Sequence, residues 1–256
     1  MVDQRFGIAG KLALVTGSGR GLGNTYARGL AEAGCDVVLH GRNAELLAAQ
    51  QQAIGEEYGV TVHVTCFDVA DPDQVFPAIE TLIAEVGVPD ILVNNAGVQR
   101  RAPFHEFPLE DWADVVNTNL NGTFYVCRAV APGMVERGSG KIINIGSVTS
   151  VLARQTVSAY TTTKGAVAML SKAMSADLTR YNIQVNTISP GYFDTEMNVA
   201  LVNDEAFSAW VCSRTPAGRW GVPDELLGAL LYLASPASDF VTGQNIFVDG
   251  GMTSVV

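Results

Sequence analysis

The sequence predicts an α/β protein: a single doubly wound domain in which a seven-stranded parallel sheet carries helices on both faces. Three observations carry that prediction. Short apolar, β-branched runs alternate along the chain with longer stretches of helical periodicity, as repeated strand–helix–strand units require. The 26 glycines are scattered among the ends of those runs, where tight strand–helix turns need them. No low-complexity linker, internal repeat or second domain interrupts the 256 residues, so one domain is expected to span 1–256. Right-handed crossovers between parallel strands then place helices on both sides of one sheet.

Residues 11–16 form the first β-rich run. They lead into Gly17-Ser18-Gly19-Arg20-Gly21-Leu22-Gly23, followed by a helical pattern to about Ala33. Strand, glycine-rich turn and helix together make a phosphate cradle. Glycine lets the backbone approach a pyrophosphate, and a helix N-terminus offers free N–H groups and a positive dipole end. Residues 36–40 read as the second strand, ending at Gly41-Arg42-Asn43. An acid at this place grips the ribose hydroxyls of NAD, whereas an arginine accommodates the 2′-phosphate of NADP. Here Gly41 falls where the acid would be, Arg42 follows it and Arg20 lies in the glycine turn. Two guanidiniums and no carboxylate favour NADP(H).

Residues 60–67 give a third strand running into Asp68, Val69 and Asp71. Asp68 can accept from an adenine amino group or cap the next helix; the capping role suits Asp71 better, with Pro72 after it. Residues 91–94 are the fourth strand, closed by Asn94-Asn95-Ala96-Gly97, whose side-chain amides suit bonding across neighbouring strand ends. A long helix is predicted from Trp112 to about Glu136, with Asn119 inside it. Asparagine is mildly unfavourable there, so it either holds a water or is a satisfied polar core residue.

The fifth strand, ending near Gly146, delivers Ser147 to its C-terminal end, the end at which open α/β sheets bind ligands. A helix beginning near Ser158 then carries Tyr160 and Lys164 on one face, one turn apart. An ammonium next to a phenol favours the phenolate and would pull its pKa down, so Tyr160 could exchange a proton near neutral pH. Taken alone, Tyr-x-x-x-Lys is usually the pattern of a solvated helix face. Val167, Leu170, Met174 and Leu178 form an apolar stripe on the same helix, read as core. Residues 184–188 and 245–249 complete the sheet, and 192–221 between them is the expected substrate lid.

Composition excludes other classes. A net charge of -10 argues against nucleic acid or an anionic membrane as a partner. Four dispersed cysteines suggest reduced thiols in a cytoplasmic protein, and three histidines without ligand spacing suggest no metal. The first ten residues carry Asp3 and Arg5 and lack the apolar core of a secretory leader. The most apolar helix candidate, 226–234, is too short to span a bilayer.

Together, TGSGRGLG at 16–23, NNAG at 94–97, Asn119, Ser147, Tyr160-x-x-x-Lys164 and Pro190-Gly191 with Thr195 resemble the short-chain dehydrogenase/reductase family, across almost the whole chain. The resemblance implies a Rossmann-type NADP-binding oxidoreductase. Tyr160 would be the general acid/base, Lys164 would lower its pKa and hold the nicotinamide ribose, Ser147 would polarise the substrate oxygen and Asn119 would anchor a water of the proton relay. The cofactor surface would comprise Gly17, Ser18, Arg20, Gly21, Leu22, Gly23, Arg42, Asp68, Val69, Asn95, Ala96, Gly97, Tyr160, Lys164, Pro190, Gly191 and Thr195. A homotetramer or dimer is implied, with the helices of Asn119 and Tyr160 at one interface.

A narrower resemblance is to members that interconvert D-gluconate and 5-keto-D-gluconate, carried by 98–104, 190–197, 204–210 and 214–221. It implies a sugar-acid or polyol substrate touching Arg100, Arg101, Ser147, Arg154, Tyr160 and Tyr192. The residues support a carboxylate independently. Arg100, Arg101, Arg154, Arg214 and Arg219 all fall in loops expected around the site, and arginine grips carboxylates bidentately, although at least two of the five are expected only to tie the lid down. One departure is Val151, where that group has an acid; it puts the preferred sugar acid in question. Other readings on the same fold are a 3-oxoacyl-carrier-protein reductase, for which Arg128, Arg137 and Lys172 make a thin docking patch, another polyol or sugar dehydrogenase, and a non-catalytic NADP sensor.

Overall fold

The computed structural model describes residues 4–255. All seven expected strands form: β1 (Leu12–Val15), β2 (Asp36–Gly41), β3 (Val62–Cys66), β4 (Ile91–Asn94), β5 (Gly140–Ile145), β6 (Ile183–Pro190) and β7 (Asn245–Val248). They build one parallel sheet in the order β3-β2-β1-β4-β5-β6-β7. The order reverses between β1 and β4, which pair with Ala13 opposite Ile91 and Val15 opposite Val93. The helices are α1 (Gly21–Glu32), α2 (Ala44–Tyr58), α3 (Pro72–Glu85), α4 (Leu109–Val116), α5 (Gly122–Arg137), α6 (Ser158–Leu178), α7 (Val199–Val202), α8 (Glu205–Arg214) and α9 (Leu227–Ala234).

The period-two alternation of the strands divides the core into two layers. Ala13, Val15, Val37, Leu39, Ile91, Val93, Ile143 and Ile145 face one way, against Tyr26 and Leu30 of α1, Leu47 and Ile54 of α2, and Leu230 and Leu233 of α9. Leu14, Val38, Leu92, Ile142 and Val185 face the other, against Val75, Ile79 and Leu82 of α3 and Val126, Val130 and Met134 of α5. Burying such side chains contributes roughly 1.5–3 kcal/mol each, which makes both faces strongly apolar and keeps the strand ends free for polar work. The α6 stripe splits: Val167 is buried, whereas Leu170, Met174 and Leu178 are half-buried, the last two against the second layer.

Local signals set the boundaries. The Asp71 carboxylate accepts from the Asp73 N–H at 3.0 Å and Pro72 opens α3, as the sequence suggested. The predicted helix 112–136 begins earlier, at Leu109, and its middle differs: a π-turn, Asn117–Asn121, separates α4 from α5 without ending the helical path. That turn contains Asn119. Among the described residues no helix is long and apolar enough to cross a membrane.

A polar chain runs through the second layer beneath the strand ends. Asn94 Nδ2 donates to Asn144 Oδ1 at 2.8 Å, Asn144 Nδ2 to Ser171 Oγ at 2.8 Å, and Thr187 Oγ1 to the same Ser171 Oγ at 2.8 Å. It joins β4, β5, β6 and α6 at one level. Removing a partner from such a buried pair costs about 1–3 kcal/mol, so the chain fixes the register in which α6 meets the sheet.

Candidate active site

The C-terminal strand ends open into a single cavity of about 930 Å³ that reaches from β2 and β3 across the switch point to β5 and the 192–221 segment. Its first wall is the glycine turn. Thr16 Oγ1 accepts from the backbone N–H groups of Asn95 and Ala96, both at 3.0 Å, and Asn95 Nδ2 donates to the carbonyls of Thr16 at 3.0 Å and Gly17 at 3.2 Å. These bonds draw the two loops so close that only glycine fits. Gly17 has φ +65° and a Cβ there would lie 2.9 Å from Ala96 Cα; a Cβ on Gly23 would lie 2.2 Å from the Gly17 carbonyl oxygen. No side chain caps the start of α1, and Gly21, Leu22 and Gly23 of its first turn line the cavity. A turn without Cβ atoms, an uncapped helix N-terminus and an elongated cavity together fit a dinucleotide.

Arg20 and Arg42 are both exposed at the rim where β2 ends. Against the expectation that no carboxylate lies there, Arg42 Nη1 meets Asp68 Oδ2 at 3.2 Å. The acid comes from the end of the neighbouring strand, which linear inspection of the β2 end does not reach. Asp68 also accepts from the Ala70 N–H at 3.0 Å, so its carboxylate organises its own turn rather than capping α3. The ring of His40 closes this end: Gly17 N–H donates to Nδ1 at 3.2 Å, and Nε2 lies 3.1 Å from the Phe67 carbonyl oxygen.

Ser147, Tyr160 and Lys164 gather at the other end. Ser147 leaves β5 with an extended backbone and starts a short 3₁₀ turn, Val148–Ser150, accepting the Thr149 N–H at 3.1 Å. Its hydroxyl bonds the Tyr160 phenol. Lys164 sits one turn further along α6, nearly buried, with Nζ donating to the Ile145 carbonyl at 2.6 Å and lying 5.5 Å from the Tyr160 ring centroid. The expected lowering of the phenol pKa is not the balance struck here. Burial pushes Tyr160 up to about 12; the bond from Ser147 opposes this and Tyr192 adds to it. Burial likewise pushes Lys164 down to about 8. Desolvation dominates both shifts, and the Lys164 Nζ is engaged by the Ile145 carbonyl of β5.

The Asn119 amide makes three hydrogen bonds within the protein. Its Oδ1 accepts from the Val98 N–H at 2.8 Å, and its Nδ2 donates to the Val98 carbonyl at 3.0 Å and to Thr163 Oγ1 at 3.3 Å. These bonds tie the loop after β4 to α6.

The five loop arginines part company. Arg101 and Arg154 line the cavity. Arg100, expected at the substrate, instead pairs with Asp114 at 2.7 Å and Asp111 at 3.6 Å on α4, outside the cavity lining. Arg214 donates to the Val255 carbonyl at 3.4 Å and Arg219 pairs with Glu225 at 2.6 Å. Burial and the charge of Arg154 lower the Arg101 pKa, with Tyr192 opposing, which places the three groups around one space. Arg154 also lies 5.0 Å over the Phe207 ring, and Tyr192 packs edge-on against Phe207, Trp210 and Trp220 at 5.7, 5.8 and 5.6 Å. This aromatic group escaped sequence reading because its members are spread over 29 positions with no periodicity. Val151 is 62% exposed and does not line the cavity. Thr195, Pro190, Gly191 and Tyr192 all do.

Comparison with known proteins agrees with this geometry. A family model described as enoyl-(acyl carrier protein) reductase matches residues 17–253. Gluconate 5-dehydrogenase of Gluconobacter oxydans is 51% identical over 97% of this chain and 96% of its own. 5-Keto-D-gluconate 5-reductase of Escherichia coli is 48% identical over the full length of both. The crystal structure of a gluconate 5-dehydrogenase from Burkholderia cenocepacia, in complex with NADP and tartrate, superposes with a TM-score of 0.97 at 56% identity, covering 99% of each chain. On its fold, its motifs and these relatives, the chain belongs to the short-chain dehydrogenase/reductase family.

Proposed function

We propose that the chain is an NADP(H)-dependent oxidoreductase that interconverts a secondary alcohol and a ketone of a sugar acid, D-gluconate and 5-keto-D-gluconate above others. The observation that carries the substrate class is the pair Arg101 and Arg154. They face one space beside Ser147 and Tyr160, and neither has a carboxylate partner among the described residues. Two guanidiniums left unneutralised in a half-buried cleft are strongly suited to an anion. The names of the relatives, gluconate 5-dehydrogenase and 5-keto-D-gluconate 5-reductase, support the same substrate, and NADP in the Burkholderia cenocepacia structure supports the cofactor. A 3-oxoacyl-carrier-protein reductase is less well supported, because Arg137 is spent on the carbonyls of Val88 and Pro89 rather than offered to an acidic partner.

In this reading the glycine turn and the first turn of α1 hold the pyrophosphate, Arg20 and Arg42 the 2′-phosphate, and Asn95, Ala96, Gly97, Lys164, Pro190, Gly191 and Thr195 the nicotinamide half. The cofactor, when bound, supplies or accepts the hydride. The chain's own residues position the substrate and move its proton. Arg101 and Arg154 fix the carboxylate, Tyr192 bonds the polyol, and Ser147 and Tyr160 grip the reacting oxygen. Burial keeps Tyr160 protonated at neutral pH, so it enters ketone reduction as the acid. In alcohol oxidation it must act as a base and first lose that proton. The 192–221 segment, with α7, α8 and the aromatic group around Tyr192, would close over the substrate. The exposed apolar side chains Phe124 on α5 and Met169 on α6 fit the face of a homodimer or homotetramer.

Four outcomes are expected. Tyr160→Phe lowers turnover roughly 10²–10⁴-fold and leaves NADPH binding intact. In wild type, oxidation climbs as pH rises from neutral to alkaline, because it needs the deprotonated phenol, while reduction stays level until pH nears the raised phenol pKa of about 12; a flat oxidation profile contradicts the assignment. Arg101→Ala and Arg154→Ala each raise KM for gluconate about tenfold or more, since a charge-assisted bond is worth about 1.5–3 kcal/mol, and leave KM for a neutral polyol unchanged. Equal effects on both substrates would count against a carboxylate clamp. Sedimentation velocity gives a dimer or tetramer, and Phe124→Glu shifts it toward monomer; a wild-type monomer at micromolar concentration speaks against that interface.

A further inference from the structure

His40 is the one histidine that is buried, and nothing in the chemistry above uses it. It is the penultimate residue of β2, 2% exposed, between the glycine turn and the end of β3. Its backbone is bound to the glycine turn on both sides: His40 N–H donates to Ser18 Oγ at 2.9 Å, and Ser18 N–H donates to the His40 carbonyl at 2.9 Å. Its ring continues the connection. The Gly17 N–H points at Nδ1, so Nδ1 must be the bare, accepting nitrogen. The Phe67 carbonyl points at Nε2, so Nε2 must carry the hydrogen. The ring also packs on Phe67 with centroids 4.0 Å apart. Only the neutral Nε2–H tautomer satisfies both bonds.

Gly17, Arg42, Phe67 and Asp68 all line the cavity beside His40. One imidazole therefore touches all three segments on which the adenosine end of a dinucleotide would lie. These are the glycine turn, the β2 end that carries Arg42, and the β3 end that carries Asp68. We propose that His40 is a positioning residue for the cofactor: its neutral imidazole spaces the glycine turn against the ends of β2 and β3, so that the pyrophosphate site and the 2′-phosphate site match one dinucleotide. This rests on the NADP(H) reading of the cavity. The environment maintains the required form. Burial lowers the His40 pKa to about 4, against the Phe67 carbonyl and the charge of Asp68, while Arg42 lowers it further. A protonated ring would present a hydrogen to the Gly17 N–H and break the clamp.

The test combines NADPH binding, followed by cofactor fluorescence, with steady-state kinetics and a histidine ¹⁵N spectrum of the ligand-free protein. His40→Phe keeps the ring and loses both bonds. It is expected to weaken NADPH binding about tenfold, raise KM for NADP+ in step, and leave kcat at saturating cofactor unchanged. His40→Asn, whose Oδ1 takes the place of Nδ1, recovers most of the affinity. The ¹⁵N spectrum of the three histidines shows one that stays in the Nε2–H form at mildly acidic pH and is lost in His40→Phe. Unchanged NADPH affinity in His40→Phe, equal losses in the Phe and Asn variants, or a proton on Nδ1 of wild-type His40 would each overturn the proposal. Failure of wild type itself to bind NADPH would instead refute the cofactor reading, and the His40 role with it.

Discussion

The structure depends on how β1 is joined to β4. The sheet order reverses there, so the chain leaves the two strands in opposite directions and a crevice opens between them. Thr16 and Asn95 sew its floor shut: one hydroxyl accepts two backbone N–H groups, and one side-chain amide donates to two carbonyls. Those four bonds satisfy backbone groups that a strand end would otherwise leave exposed. They also pull Gly17 against Ala96, where a side chain cannot fit. The cavity, its glycine lining and the approach of α1 all follow from that seam.

Polar groups extend the same logic along the strand ends. On one side His40 ties the glycine turn to β3; on the other, the Asn94–Asn144–Ser171–Thr187 chain fixes α6 against β4, β5 and β6. Tyr160 and Lys164 are carried by α6, so that buried chain sets where the phenol stands relative to Ser147. The site is preorganised at its centre and charged at its mouth. Burial sets the protonation states of Tyr160 and Lys164, while neither Arg101 nor Arg154 pairs with a carboxylate among the described residues.

Much of this was legible in the sequence, for identifiable reasons. Each strand is an apolar run bounded by glycine or a polar turn, and parallel strands buried on both faces read as such. Ser147, Tyr160 and Lys164 were found because spacing on one helix and position at a strand end are local properties. What the sequence hid is tertiary. Arg100 and Arg101 are neighbours, yet one turns to Asp111 and Asp114 and the other to the cavity. Arg42 meets a carboxylate from another strand. The phenol pKa rises rather than falls, because burial cannot be read from the four-residue spacing that brings the ammonium near. Asn119 serves Val98, and the π-turn that contains it leaves no mark in the apolar pattern.

In the function proposed above, one cavity combines a 2′-phosphate site at Arg20 and Arg42 with a carboxylate site at Arg101 and Arg154. The most direct test is an initial-rate comparison of wild type at mildly alkaline pH, with NADP+ or NAD+, on gluconate, other aldonates and neutral polyols. Gluconate oxidation with NADP+ is expected well ahead of NAD+, with polyols far behind. Oxidation of neutral polyols with gluconate left untouched would keep the proton chemistry of Tyr160 and contradict the carboxylate site.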